Sequence, residues 1–174
     1  GTAQAAQTGI VPSLNAMGGR RLEKLILSHH DSDHDGGLDA VSDIEIGETL
    51  AGQPEVYPNA KFCAEAQWQW DGVDFELLRS SENPVGEDND RSCGLRIVSD
   101  GQALLVTGDL GVKGEAGLVE RYGSSLYSQV LILGHHGSNT ASSGGFLNTV
   151  APKYAVASSG YAIAYKHPTP AVPT

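Results

Sequence analysis

The sequence is poor in several features that would each indicate a particular class of protein. Among its 174 residues are 2 cysteines and 1 methionine, aromatic residues make up 6%, and Lys plus Arg number 11 against 21 Asp plus Glu. Two cysteines define neither a disulfide framework nor a paired metal motif, so we expect Cys63 and Cys93 to be buried thiols. No apolar run approaches the roughly 18 residues of a membrane helix, and no N-terminal signal or repeat period is present. A soluble domain is therefore expected.

The shortage of basic residues limits the choice of partner. The formal net charge of −10 disfavours sequence-independent attraction to a phosphate backbone, so composition alone does not predict a nucleic-acid-binding protein. The acidic residues are concentrated in residues 31–48 and 82–90. Part of the excess negative charge could therefore be ligand charge that a bound cation cancels.

The remaining composition predicts one globular α/β domain spanning residues 1–174. Hydrophobic residues make up 40% and charged residues 18% of the chain. Short apolar runs bounded by turn residues predict strands at 25–27, 75–78, 95–98, 103–106, 130–133 and 154–157. Helices are predicted at 11–17, 38–42, 114–122 and 145–150, and Asp100–Gly101 predicts a tight hairpin. This mixture of elements is typical of a layered α/β domain with mixed sheets.

The histidines point to chemistry at the ends of strands. All 6 of them lie in three places, and each place follows a predicted strand: His29, His30 and His34, then His135 and His136, then His167. Histidines that fill a core or lie on a surface would be scattered. The clustering therefore predicts a metal site in a cleft at the strand ends.

The first group is the strongest motif. In an extended segment, alternation directs His29, Asp31 and Asp33 to the same side, and the turn permitted by Gly36–Gly37 brings His34 beside them. Imidazoles and carboxylates at this density need a cation, and the carboxylate oxygens tolerate Mn²⁺ where thiolates would select zinc. The alternative interpretation is a solvated acidic loop with histidines placed by chance.

A carboxylate follows the strand at 103–106. Gly108–Asp109 places one acidic side chain at the sheet edge with little steric obstruction, which suits a ligand that bridges two cations. The alternative interpretation is that Asp109 caps the helix that begins after Gly111.

The segment after the predicted strand at 130–133 adds two imidazoles and two hydroxyl groups. One of His135 and His136 would bind a metal ion, and the other would form a hydrogen bond or protonate a leaving oxygen. The Ser138 and Thr140 hydroxyls would receive a phosphate or a carboxylate. His167 either lines the cleft as a substrate-binding residue or fixes the turn before the next proline, and one imidazole of the pair could be purely structural.

Three motifs together resemble those of the metallo-β-lactamase superfamily. They are His29-x-Asp31-x-Asp33-His34, Thr107-Gly108-Asp109 and a strand ending in histidine. The resemblance implies an αββα sandwich that binds one or two metal ions at its strand ends. More narrowly, these motifs and the block from Gly134 to Thr140 are similar to the C-terminal domain of the ComEC family, the inner-membrane channel proteins of competence. The resemblance to that family implies a fragment of a larger membrane protein.

The ComEC resemblance implies a function and a location. The domain would be a metal-dependent phosphodiesterase, a nuclease that degrades the DNA strand that is not imported during natural transformation. It would lie on the extracytoplasmic, periplasmic face of the bacterial inner membrane. Its partners would be DNA, single-stranded in our expectation, and the membrane channel portion of the same polypeptide.

The resemblance also assigns ligands for Mn or Zn ions. The first ion would be bound by His29 and Asp31, and the second by Asp33 and His34. Asp109 would bridge the two ions, and His135 or His136 would complete the second site. The catalytic residues would then be Asp33, Asp109, His135 and His136, with Ser138, Thr140 and His167 binding substrate.

Two departures from the superfamily pattern keep other functions open. The histidine expected before the Gly-Asp strand is absent, with Ser92 or its neighbours in that region, and we expect the opening strands of the sandwich to be missing. One alternative is a hydrolase acting on a small substrate such as a phosphorylcholine ester or a lactone. The other is a catalytically degenerate module that guides DNA without cutting it.

Overall fold

The computed structural model describes residues 3–82 and 88–159, and the chain divides after Cys63 into two compact units. Each unit contains one sheet, of three strands in the first unit and six in the second. The mixture of helices and strands confirms the predicted α/β class. Among the described residues, no helix has both the length and the apolar character needed to cross a bilayer.

The first unit combines short helices with a parallel sheet. Its helices are α1 (Ala3–Ala5), α2 (Val11–Ala16) and α3 (Ser32–Asp35), with a π-helical segment at Ala6–Ile10 and 3₁₀ segments at Leu38–Val41 and Pro54–Val56. Its strands are β1 (Arg21–Leu27), β2 (Glu45–Ala51) and β3 (Lys61–Phe62), in that order and parallel. Leu27 pairs with Ala51, and both are buried with Tyr57 in a small core. The carboxyl end of β1 is therefore anchored where the first histidines begin.

The second unit is a mixed sheet packed against two helices. Its strands are β4 (Ala66–Trp70), β5 (Val73–Leu78), β6 (Gly94–Ser99), β7 (Gln102–Val106), β8 (Val130–Ile132) and β9 (Tyr154–Val156). Its helices are α4 (Val112–Tyr122) and α5 (Gly144–Val150), with 3₁₀ segments at Asp88–Arg91, Gly123–Leu126 and Gly134–Gly137. Strands β4 to β7 are antiparallel, whereas β7, β8 and β9 are parallel. Because β7 and β8 are parallel, the segments with Asp109 and the histidine pair leave the same sheet edge.

Leucines from both layers form the core of the second unit. Leu105 of β7, Leu131 of β8, Leu118 of α4 and Phe146 of α5 are buried in one cluster, each at most 1% exposed. The hairpin turn at Asp100–Gly101 is confirmed, since both residues have positive φ, 48° and 75°, as a two-residue turn between twisted strands requires.

The predicted strands and helices match described elements, but the sequence analysis missed the helices α1 and α3 and the strands β2, β3 and β4. Strand β2 carries Glu45 and Glu48, which made it resemble a polar loop. In the structure these side chains form ion pairs with Arg21 and Lys24 of β1, in register with them. Charge on an exposed sheet face thus concealed the strand pattern.

Both cysteines are buried, as expected, but the expectation of free thiols is wrong. Cys63 and Cys93 are disulfide-bonded, and no cysteine of the chain is free. A single pair without a motif carries no pairing signal, because the distance between two cysteines is set by the fold and not by their spacing in sequence.

Candidate metal centre

The structure corrects the geometry predicted for the first ligand segment. Residues Ser32–Asp35 form one helical turn, α3, instead of continuing the extended chain. Asp31 is the N-cap of this turn, and its carboxylate accepts a hydrogen bond from Ser32 N at 2.9 Å. The prediction that alternation aligns Asp31 with Asp33 is therefore wrong, because an aspartate in the capping position starts a helix.

The helical turn brings His34 next to His29. Their ring centroids lie 4.2 Å apart, and the Oγ atom of Ser28 lies 3.2 Å from Nδ1 of each ring. With its Nδ1 facing Ser28, His34 directs Nε2 to within 3.7 Å of Asp33 Oδ2. A hydrogen bond at one ring nitrogen fixes the orientation with which the other meets a metal ion. The sequence analysis missed Ser28, whose only signal was its place before the histidines.

His30 belongs to a separate network. Its Nδ1 lies 2.5 Å from Asp35 Oδ2, and Tyr57 Oη donates to the same oxygen at 2.8 Å. Partial burial opposes ionisation of Asp35, but the hydrogen bonds from Tyr57 and His30 outweigh it and lower the pKa of this carboxyl group. Burial and the hydrogen bond to Asp35 raise the pKa of the Tyr57 hydroxyl. The network fixes the end of α3 to the buried Tyr57.

Asp109 is held at the end of β7 by its backbone. The residue is 5% exposed, and its N–H donates to Ser92 Oγ at 3.2 Å. The alternative that Asp109 caps the following helix is wrong, because the N-cap of α4 is Gly111, with no side-chain capping bond. Ser92, which lies in the region of the missing histidine, therefore supports Asp109 through a hydrogen bond.

His136 is oriented towards Asp109. Its Nδ1 lies 2.7 Å from the carbonyl oxygen of Ser158, an atom that only accepts hydrogen bonds, so Nδ1 carries the proton. Nε2 is therefore the nitrogen that can bind a metal ion, and it lies 3.5 Å from Asp109 Oδ2. A neutral imidazole with its second nitrogen bound to a carbonyl is the usual state of a histidine that binds a metal ion.

His135 has different partners. Its Nδ1 lies 3.0 Å from Thr140 Oγ1, which in turn lies 3.0 Å from Ser138 Oγ. Ser138 is buried at 5% exposure, whereas Thr140 is exposed. The hydroxyl groups predicted to bind substrate are thus linked to the imidazole of His135.

The backbone that carries the histidine pair is left-handed. His135 and His136 have φ of 47° and 55°, and Gly137 follows with φ of 80°. Non-glycine residues in this region are strained by on the order of 1 kcal/mol or more each. Just before them, a Cβ atom on Gly134 would lie 3.0 Å from the carbonyl oxygen of Leu110. Close packing after β7 therefore holds the strained turn in place.

Residues 1–161 match the family model of the metallo-beta-lactamase superfamily. The chain belongs to this superfamily. The match confirms the predicted metallo-β-lactamase-like fold class and the family on which the ligand assignment rests.

The narrower resemblance to competence proteins is confirmed as well. Competence protein ComA of Neisseria gonorrhoeae is 70% identical over 99% of this chain and 25% of its own length. Recombination protein 2 of Haemophilus influenzae is 38% identical over 94% of this chain and 21% of its own length. The chain thus spans a quarter or less of the length of these curated relatives.

A solved structure that resembles the chain is the diiron β-hydroxylase CmlA of Streptomyces venezuelae. It has a TM-score of 0.45 and 15% identity over 75% of this chain and 28% of that one. This likeness says nothing about function.

The residues predicted as metal ligands lie in both units. The first unit has His29, Asp31, Asp33 and His34, and the second has Asp109, His135 and His136. Ligand atoms that could hold a metal ion are offered by Asp33 and His34 in the first unit and by Asp109 and His136 in the second. His167 lies outside the described residues.

Proposed function

We propose that this metallo-β-lactamase domain is a metal-dependent phosphodiesterase that degrades the DNA strand not imported during natural transformation. The observation that carries the proposal is the geometry of His136. Its Nδ1 is bound to a carbonyl group and its Nε2 faces the carboxylate of Asp109 at 3.5 Å. This pairing of an oriented imidazole with a buried carboxylate supports a role in metal binding.

The donor set fits one or two Mn²⁺ or Zn²⁺ ions. The proposed ligands are His29 and Asp31 for the first ion, and Asp33, His34 and His136 for the second, with Asp109 shared. Nitrogen and carboxylate oxygen donors suit both metals, and no free thiolate is present to favour a soft cation. When bound, the metal supplies activation of a water molecule and stabilisation of negative charge on phosphate oxygens.

The remaining residues of the site act on the substrate. In our proposal His135 orients or protonates the leaving 3′ oxygen, since its Nδ1 is held by Thr140 Oγ1 at 3.0 Å. The exposed Thr140 hydroxyl binds a phosphate oxygen, and the buried Ser138 hydroxyl fixes the orientation of Thr140. His167 is proposed as a further substrate contact.

Two further observations support the cellular context. Competence protein ComA of Neisseria gonorrhoeae carries competence in its name, and it is 70% identical to this chain. Disulfide-bonded Cys63 and Cys93 favour an oxidising compartment. Both agree with a location on the periplasmic face of the inner membrane, where single-stranded DNA and the channel portion of the same polypeptide would be the partners.

The test is a cleavage assay with single- and double-stranded oligonucleotides in Mn²⁺, Mg²⁺ or Zn²⁺, preceded by metal analysis of the purified chain. We expect the single strand to be cut faster, and Asp109→Asn to abolish cleavage while the circular dichroism spectrum stays unchanged. Glu120→Gln, which removes one exposed carboxylate of α4, is the matched control and should cut at the wild-type rate.

Each contrary outcome is informative. Cleavage that survives in Asp109→Asn would contradict the site assignment. Wild-type protein that binds DNA without turnover in any metal would contradict the proposal and favour a module that guides DNA. Turnover of phosphorylcholine esters or lactones without DNA cleavage would instead favour a hydrolase of small substrates.

A further inference from the structure

Glu115 is a buried carboxyl group that the proposed reaction does not use. It lies near the start of α4 and has 0% exposure. Burial raises the pKa of its side chain, although hydrogen bonds from the backbone N–H groups of Ser143 and Ser142 act in the opposite direction. Burying such a group is unfavourable unless its oxygens accept hydrogen bonds. Its partners therefore indicate what the residue does.

The carboxylate binds the segment that leads from the histidine pair to α5. Oε1 accepts a hydrogen bond from Ser142 N at 2.5 Å, and Oε2 accepts one from Ser143 N at 2.8 Å. Ser142 has a left-handed φ of 60°, and Ser143 caps α5 through its side chain. One side chain of α4 thus fixes both a strained residue and the start of the next helix.

Hydrogen bonds connect this anchor to the proposed site. The carbonyl oxygen of Thr140 accepts from Val112 N at 3.0 Å, and Thr140 Oγ1 lies 3.0 Å from His135 Nδ1. At the other end of the segment, His135 N donates to the carbonyl oxygen of Gly108 at 3.3 Å. Residues 135–143 are therefore fastened at both ends to residues 108–115, which include Asp109.

We propose that Glu115 is a positioning residue that fixes Thr140 and His135 relative to Asp109. This inference rests on the proposed function, because it assigns Glu115 to the site of that reaction. Glu115 acts through the backbone of the segment from Thr140 to Ser143 and does not touch the substrate. Without its two acceptor oxygens, the segment relaxes and the Thr140 hydroxyl loses its fixed contact with His135.

The test compares three single variants of the 174-residue chain and one double variant. Glu115→Gln keeps the shape of the side chain but replaces one acceptor by a donor, which faces an N–H group. Thr140→Val removes the hydroxyl that contacts His135 and leaves Glu115 intact. Glu120→Gln is the control, since Glu120 is an exposed carboxylate on the same helix. The double variant combines Glu115→Gln with Thr140→Val.

The first readout needs neither metal nor turnover. Nitrogen-15 NMR of the metal-free protein reports which ring nitrogen of His135 carries the proton. We expect Glu115→Gln and Thr140→Val to shift the His135 signals in the same direction, and Glu120→Gln to leave them unchanged. Unchanged His135 signals in a folded Glu115→Gln protein would overturn the proposal.

The second readout is kinetic. We expect Glu115→Gln and Thr140→Val each to lower kcat/KM by about tenfold or more, and the double variant to be no worse than the more affected single variant. Such non-additivity is the signature of residues that act through one another. Fully additive losses would show that Glu115 acts independently of Thr140 and would overturn the proposal.

A third measurement covers the case in which Glu115→Gln does not fold. In the wild-type protein, the amides of Ser142 and Ser143 should exchange with solvent as slowly as those in the middle of α4. Rapid exchange there would overturn the proposal without any variant. If the wild type has no phosphodiesterase activity, the proposed function fails, whereas the NMR and exchange data still decide the role of Glu115.

Discussion

The candidate ligands of the two units are held in different ways. In the first unit, Asp33 and His34 lie on one short segment after β1, and the contacts that orient them come from Ser28 and from each other. In the second unit, Asp109 and His136 follow two different strands. Their partners are distant in sequence, the Ser92 hydroxyl for the Asp109 N–H and the Ser158 carbonyl group for His136. The side chain of Asp33 is 55% exposed, whereas that of Asp109 is 7% exposed.

This difference indicates that the candidate ligands of the second unit are the preorganised ones. A buried carboxylate and an imidazole with a fixed proton lose little freedom when they bind a cation, so they bind it more tightly. An exposed carboxylate on a capped helical turn must be ordered on binding. We therefore expect the second-unit ligands to determine affinity and the first-unit ligands to adapt to the metal that is present.

The largest difference in metal affinity is expected between variants that remove one or the other imidazole of the histidine pair. His136→Ala should weaken Mn²⁺ or Zn²⁺ binding by about a hundredfold or more, because it removes an oriented ligand. His135→Ala should leave affinity within about threefold, since His135 is bound to Thr140. Isothermal titration calorimetry measures both values. Equal losses in the two variants would remove the distinction between His135 and His136.

A smaller difference in metal affinity is expected between variants of two histidines in the first unit. His34→Ala should weaken metal binding by about tenfold or more, whereas His30→Ala should retain it because His30 contacts Asp35 and Tyr57. The same calorimetric titration applies. A loss of affinity in His30→Ala that matches His34→Ala would mean that the Asp35 network forms part of the metal site.

The strained turn of the second unit should be sensitive to a single methyl group. Gly134→Ala should lower the free energy of unfolding by about 1–3 kcal/mol, because the new Cβ would press on the backbone after β7. Gly144→Ala is the matched control, since a Cβ there meets nothing within 4 Å. Urea denaturation measures the difference. A neutral Gly134→Ala would show that the turn is not held by close packing.

The N-cap role of Asp31 in the first unit can be tested by substitution. Asp31→Ala should cost about 1 kcal/mol of stability through loss of the N-cap of α3, whereas Asp31→Asn should cost only a few tenths. Both variants remove the negative charge, so both should weaken metal binding. Chemical denaturation of the metal-free protein separates the two effects, and equal destabilisation by Asn and Ala would exclude a capping role.

The smallest effect is a pH dependence in the second unit. The folded state raises the pKa of Glu115, so the stability it contributes is fully present below the unfolded value and is lost as the pH rises towards the folded value. Glu115→Gln should therefore be more destabilising near pH 5 than near pH 8, a range set by the usual carboxyl pKa. Denaturation at both pH values, with Glu120→Gln as control, measures this. A deficit that grows with pH would have the wrong sign.

The sequence predicted what depends on local pattern. Apolar runs located strands in the second unit, and the strand ends ahead of the histidines located the candidate ligand residues, because both patterns depend on neighbouring residues alone. Asp31 shows the limit of this reasoning. The same segment can extend or form a helical turn, and the hydrogen bond to Ser32 N decides between them.

Other parts of the site depended on contacts distant in sequence. Ser158 fixes the proton of His136, and Ser142 and Ser143 are bound by Glu115 from another helix. The residue pattern does not reveal which backbone carbonyl or N–H group will be a partner, since every residue except proline carries both. The distinction between His135 and His136 was therefore open in the sequence and required the fold.

The two hairpin turns of the second unit have a practical use. Strands β4 and β5 are joined at Asp71–Gly72 and strands β6 and β7 at Asp100–Gly101, and this pairing places both turns at the sheet edge opposite Asp109. A Cβ on Gly72 or Gly101 would meet nothing within 4 Å, but both residues have left-handed φ, 81° and 75°, so a substitution there is strained and an insertion is the suitable change. Exposed loop tips of this kind tolerate insertions. A dye or an affinity tag inserted there would allow single-molecule experiments while the edge that carries Asp109 stays unlabelled.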